Sequence, residues 1–352
     1  MTPPLLKPGR AALGSLALIA VVVAIAAGAF AYTAGWLSPR RLTPTRLVAA
    51  FAPPGGPALG RRRNHVRGVC FTGTFEANGA GTALSRAPML ARGQYPVVGR
   101  FNVGTANPDD PDGEVRVRGM GLQITAPGGE LWRAAMINPP FFAVATPQAF
   151  HELLRASHAK APDAMAAFTA RHPEFAAFGA WAKSAPWTGS YAEEPYNSLD
   201  SFVFTNRSGE RRVVRWSLRP AAHPVPVPHD ALLQRPPDFL EQEIAQRIKG
   251  GPLRWTMVVT VAAPGDPTAD PSQAWPEDRR AVEVGTLVVE QIQAERDGPC
   301  RDINYDPAVL PAGVATSDDP FPAARSSAYR ASYDLRTGEE KDYPRTTAEA
   351  GR

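Results

Sequence analysis

A tyrosine held among arginines is the first candidate for chemistry in this chain. In "PFPAARSSAYRASYDLR" (320–336), Arg325 and Tyr329 stand four residues apart, so on a helix they share one face. Arg336 lies seven residues beyond Tyr329, two turns along that face. A cation beside a phenol favours its ionised form, and a phenolate is a ligand for ferric iron. Tyr333 is the rival ligand, but it lacks an arginine four residues before it. The same letters also suit an exposed helix with scattered charges, so the iron reading needs support from elsewhere.

Of the six histidines, five invite no chemistry. His223 and His229 frame the proline-rich "HPVPVPH", and His172 precedes a proline. His151 and His158 are seven apart, without the i, i+4 pair of a helical zinc site. No G-x-S-x-G, P-loop or dinucleotide glycine fingerprint stands in a strand-turn-helix context, which removes the usual hydrolase, kinase and dehydrogenase readings. His65 is different. It sits in "GRRRNHVRGVCFTGTFE" (60–76), where clustered arginines run into a glycine-rich strand.

These residues need a scaffold. Alternating stretches at 66–77, 95–104, 114–125, 131–137, 198–206, 211–220, 253–263 and 281–295 predict about eight strands at hairpin spacing. Helical spacing occupies 142–186, with proline breaks, and 238–251. The expected fold is α+β: an antiparallel eight-stranded β-barrel with helices packed around it.

The chain has 352 residues, 44% hydrophobic and 20% charged, enough for a substantial core. Its net charge of +4 is mild, and no basic-aromatic strip points to nucleic acid. Residues 11–37, "AALGSLALIAVVVAIAAGAFAYTAGWL", carry no charge, with Lys7 and Arg10 before and Arg40 and Arg41 after. That is long enough to cross a hydrocarbon core of about 30 Å, although "AFA" at 29–31 would also serve as a cleavage site. The expected division is a flank (1–10), a transmembrane anchor (11–37), a linker (38–50), a core (51–340) and a tail (341–352). The anchor is expected to cross a bacterial-type inner membrane once and to leave the core outside the cytoplasm. Cys70 and Cys300 read as two separate buried thiols.

Eight pieces of the sequence resemble the heme catalases. "RRNHVRGVCFTGTFE" is similar to that family's distal histidine segment, "PVVGRFNVG" to its Arg-Phe-Ser strand and "VRVRGMGLQI" to its Arg-Gly-Phe-Ala strand. "MINPPFFAVATPQAF" resembles the segment that carries the distal asparagine. "SFVFTNRSGERRVVRWSLRP", "WPEDRRAVEVGTLVVEQI" and "INYDPAVLPAGVATSDDP" follow in the family's order, and "RSSAYRASYDLR" matches its Arg-x-x-x-Tyr motif. The resemblance covers about residues 50–340.

The resemblance implies heme b, with Tyr329 as the iron ligand and Arg325 as its charge partner. It places His65 and Asn138 on the peroxide side, the histidine as proton acceptor and donor and the asparagine as an orienting donor. It assigns Arg62, Arg100 and Arg336 to the heme carboxylates, with Arg61 and Arg63 as possible substitutes for Arg62, and sets Phe142 and Phe150 near the porphyrin. The chain also departs from the family. It ends shortly after Arg336, Arg63 and Asn64 replace channel valines, and Ala143 stands where an aromatic is common. It looks like the minimal group called catalase-related peroxidases, here membrane-tethered. The implied activity is reduction of hydrogen peroxide or organic hydroperoxides by an organic electron donor, with weak catalase activity, in a monomer or dimer. A heme enzyme that rearranges lipid hydroperoxides and a heme-binding protein without turnover are the alternatives.

Overall fold

The structure is a computed structural model that describes residues 10–33 and 41–346, in two compact units dividing at Thr43. The first unit contains helix α1 (Arg10–Thr33). Its stretch Gly14–Thr33, 20 residues, buries nothing and is long and apolar enough to cross a membrane, as both anchors and signal sequences are. Residues 1–9 of the expected flank, 34–37 of the expected span and 38–40 of the expected linker lie outside the described residues.

The second unit opens with α2 (Pro44–Ala49) and the strands β1 (Gly68–Ala77), β2 (Gly93–Val103), β3 (Arg118–Thr125) and β4 (Leu131–Ile137). Helices α3 (Pro147–Ser157), α4 (Ala164–Arg171) and α5 (Phe175–Ser184) follow, then β5 (Tyr196–Asn197), β6 (Phe202–Thr205) and β7 (Arg211–Pro220). After α6 (His229–Leu233) and α7 (Phe239–Arg247) come β8 (Leu253–Val261), β9 (Ala281–Ala294), β10 (Val314–Thr316) and α8 (Phe321–Gly338). The strands pair antiparallel around a closed ring, β1-β2-β3-β4-β5-β7-β8-β9, with β9 returning to β1. This is the predicted eight-stranded barrel. The strand expected over 198–206 forms only at β6, after a turn in which Leu199 takes a left-handed backbone (φ 59°). β5 and β6 lie in turn along β7, and β6 carries β10 at its edge.

Alternation explains the barrel's filling. On β1–β4, Val69, Phe71 and Phe75, then Val97 and Phe101, then Leu122 and Ile124, then Trp132 and Ala134 point to one buried cluster. Trp132 meets Trp216 of β7 edge to face, with ring centroids 5.1 Å apart. At the irregularity between Thr72 and Gly73, β9 comes so close to β1 that a Cβ on Gly73 would lie 2.0 Å from the Val288 carbonyl oxygen. The obstacle is backbone, so Gly73→Ala is expected to cost about 1–3 kcal/mol. A urea titration checks this; an unchanged midpoint would contradict it.

The other face of β1–β4 carries the functional side chains. Register aligns Cys70, Arg100, Gly121 and Ala135 in one row, and Gly68, Asn102, Gly119 and Ile137 in the next. Small residues between polar ones leave a flat floor against which a ring can lie.

Two segments and the state of the cysteines differ from expectation. Residues 44–50 are no linker, because Leu47 and Val48 of α2 are buried in the body. Within the expected tail, 341–346 pack on the core: Tyr343 accepts the Arg61 guanidinium over its ring at 4.0 Å, and Arg296 Nε donates to the Pro344 carbonyl. Cys70 and Cys300 are joined as a disulfide with Cα atoms 5.3 Å apart. The antiparallel β1–β9 ladder brings the turn after β9 back over Cys70, a proximity invisible from a separation of 230 residues.

Candidate active site

A cavity of about 470 Å³ opens beside the small-residue floor. Helix α8 contributes Phe321, Arg325, Ala328, Tyr329, Ser332 and Arg336 to its wall, a stripe with the 3.6-residue period. The helix starts where it does because the Asp319 carboxylate accepts the Phe321 N–H at 2.9 Å and Pro322 needs no partner. Tyr329 and Arg325 are thus brought together as their spacing predicts. Arg325 donates to Asp200 and, at 2.7 Å, to the Ala135 carbonyl. Burial works against its charge, but Asp200 and Tyr329 hold the guanidinium above its ordinary range. Tyr333 also lines the cavity, under the Arg336 guanidinium at 4.7 Å.

His65 reaches the same cavity from a left-handed backbone (φ 52°), fixed by its N–H donating to Asn64 Oδ1 at 2.9 Å. A non-glycine residue in that region stores strain, a frequent mark of a functional position. Burial, and then the Arg100 charge, lower its pKa to about 4, so the ring is neutral at pH 7. Asn102, on the floor, is the ring's neighbour and favours its charged form, but the approach falls short of a bond of ordinary geometry. His65 Nδ1 and Asn102 Oδ1 are both buried without a partner.

Arg62, Arg100 and Arg336 converge. Arg100 grips Glu295 through Nε and Nη2, at 2.6 and 2.7 Å. Arg62 Nη2 donates to the carbonyls of Cys300, Arg301 and Ile303, and Arg336 donates to those of Arg301 and Ile303. Burial would raise the Glu295 carboxyl, but Arg100, Arg62 and Arg336 hold it below the usual carboxylate range. Burial and the Arg100 charge push Arg62 down, while burial and Arg62 push Arg336 down to about 10. One carboxylate therefore serves three guanidiniums, an excess of buried positive charge beside an apolar space. Phe142 and Phe150 line the cavity and pack on each other with centroids 5.0 Å apart.

Two of the side chains singled out in the sequence are engaged by other partners. Asn138 does not line the cavity. Its Oδ1 accepts the Arg118 N–H at 2.9 Å and its Nδ2 donates to Glu194 at 3.0 Å, so both ends of the amide are engaged. Met136 and Ile137 of the same strand line the space instead. Nor does Arg63 give the approach free charge, because its buried guanidinium pairs with Glu339 and the carbonyls of Ala58 and Arg61. Much of the wall near α2, α3 and α5 is apolar, with Leu47, Phe51, Leu153 and Phe178. Sequence reading missed Asn102, Asp200 and Glu295. Only Glu295 left a trace there, as an acid closing a strand that faces arginines.

The sequence profile of the family described as Catalase matches residues 58–343. The chain belongs to the catalase family. It is similar to the catalase-related peroxidase of Synechococcus elongatus, with 34% identity over 329 residues, 92% of this chain and 95% of that protein. It is also similar to the catalase-related peroxidase of Mycolicibacterium paratuberculosis, with 33% identity across 85% of this chain and 96% of that protein. A bacterial catalase structure superposes with a TM-score of 0.70 at 18% identity, over 81% of this chain. A fungal one gives 0.71 at 17%, over 79%. The chain spans 59% of the length of each of these two catalases, whose likeness is one of fold. Membership makes this chain a peroxide-consuming oxidoreductase of a heme-dependent family.

The residues present fit that cofactor. A flat floor, phenylalanines, an excess of two buried guanidinium charges and a tyrosine beside an arginine match an apolar macrocycle with two carboxylates and a ferric centre.

Proposed function

We propose that the chain is a heme b peroxidase that reduces hydrogen peroxide or, favoured by the apolar wall, organic hydroperoxides at the expense of an organic donor, with weak catalase activity. Tyr329 would hold the iron, Arg62 and Arg336 the carboxylates, and Phe142 and Phe150 a face of the ring. When bound, a ferric heme supplies the electrons and the oxygen acceptor for O–O cleavage. His65, neutral at pH 7, takes the proton from one peroxide oxygen and returns it to the other, so that water or an alcohol leaves. Arg325 keeps a positive charge beside Tyr329, where it would offset the charge of an iron-bound oxygen. With Asn138 engaged elsewhere, the proton step rests on His65 alone, with Asn102 as the buried neighbour of its ring. Fewer orienting donors weaken capture of a second peroxide, which supports peroxidase over catalase turnover.

The observation that carries this reading is the meeting of Tyr329, Arg325 and His65 in one cavity. Helix α1 would anchor the chain, as a monomer or dimer, in an inner membrane with the body outside the cytoplasm, where a disulfide persists. The test is peroxide-dependent oxidation of a phenolic donor by the hemin-loaded chain, compared with oxygen release. We expect donor oxidation to dominate, flat from pH 6 to 8 and falling in acid with an inflection near pH 4, because a base acts only when unprotonated. No donor oxidation, or an acid limb near the ordinary histidine value of about 6.5, would contradict it. Product analysis with a fatty-acid hydroperoxide separates reduction from rearrangement.

A further inference from the structure

The Cys70–Cys300 disulfide lies at the arginine cluster. Both cysteines are fully buried, and Cys70 is paired in register with Arg100. Cys300 stands within the segment 295–303, which supplies counter-groups to all three guanidiniums. Its Glu295 takes the Arg100 fork, and its carbonyls at 300, 301 and 303 receive Arg62 and Arg336. Past Ala294 this segment has turns and no strand. Apart from these contacts with the guanidiniums, ties of this segment run outward, from Arg301 to Tyr343 and Arg345 to Asp297, while the bridge fastens it to β1, where Cys300 N also donates to Cys70 Sγ at 3.1 Å. The fit there is close: a Cβ on Gly298 would lie 2.6 Å from that sulfur. Tyr329 packs against the same small cluster.

We propose that this disulfide is a positioning element of the cofactor site. By clamping segment 295–303 to β1 it fixes the partners that aim Arg62, Arg100 and Arg336, and so sets how tightly the protein retains a porphyrin dicarboxylate. The proposal rests on the heme reading above. Reduction by a dithiol breaks the S–S bond and delivers two electrons and two protons, leaving two thiols while the reductant closes to its own disulfide. The β1–β9 ladder persists from Val69 to Ala77, so the barrel stays closed while the cradle loosens. Retention of the cofactor is thereby tied to an oxidising compartment.

The test compares the full-length chain with its Cys70→Ala/Cys300→Ala variant. Each is loaded with hemin or with hemin dimethyl ester, and release to a heme scavenger is timed. Hemin is expected to leave the variant at least about tenfold faster, the scale on which supporting residues act on a metal site. The ester, without carboxylates, should leave both proteins at similar rates. Amide hydrogen exchange at 296–305 should speed up in the hemin-free variant while the barrel strands stay protected. Equal hemin release with unchanged exchange would overturn the proposal. So would a variant that fails to fold, since the bridge would then serve the barrel as a whole. A wild-type chain that binds no hemin would instead sink the heme reading, with the exchange measurement still deciding the clamp.

Discussion

Replacing His65 slows the reaction with peroxide by about 10²- to 10⁴-fold, the usual contribution of a positioned proton-transfer group. The variant of choice is His65→Asn, because asparagine tolerates the left-handed backbone that His65 adopts (φ 52°) and offers no base. Hemin binding should change little, since the arginine cluster and Tyr329 remain. Stopped-flow mixing with hydrogen peroxide measures the loss, and added imidazole should restore part of the rate. A variant as fast as the parent would remove His65 from the chemistry. The low pKa of His65, about 4, sharpens the point: burial and Arg100 keep the ring neutral and ready to accept a proton.

Tyr329→Phe is the second large effect. It deletes one oxygen from a side chain whose remaining ring still packs against the cluster of Cys70, Cys300 and Tyr305. The fold should hold, while hemin affinity falls by on the order of 100-fold or more, beyond the loss seen when only a supporting residue of a metal site is changed. The charge-transfer absorption of a ferric phenolate should vanish with it. Tyr333→Phe is the control, since Tyr333 lines the same cavity without an arginine one turn before it. If Tyr333→Phe abolished the absorption and Tyr329→Phe kept it, the ligand assignment would move along the helix.

Short-range spacing made most of this site legible. Arg325, Tyr329 and Arg336 lie on one helix, so a period of 3.6 residues settled their common face. The strands were readable because alternation marks a face that fills a barrel, as Phe71 and Phe75 or Leu122 and Ile124 do. Long-range partners were not. Asp200 reaches Arg325 from the turn between β5 and β6, where Leu199 is left-handed and alternation already reads a strand. The disulfide depends on a ladder register set 230 residues apart. For Asn138, motif similarity gives the backbone position just past β4, but not the partners of its side chain, Glu194 and the Arg118 amide.

One crystal tests the central claim most directly: the hemin-loaded chain, with the iron located by its anomalous scattering. The iron is expected bonded to Tyr329 Oη, with Arg325 alongside and the porphyrin carboxylates at Arg62 and Arg336. Iron coordinated by His65 or Tyr333, or porphyrin bound outside this cavity, would contradict it.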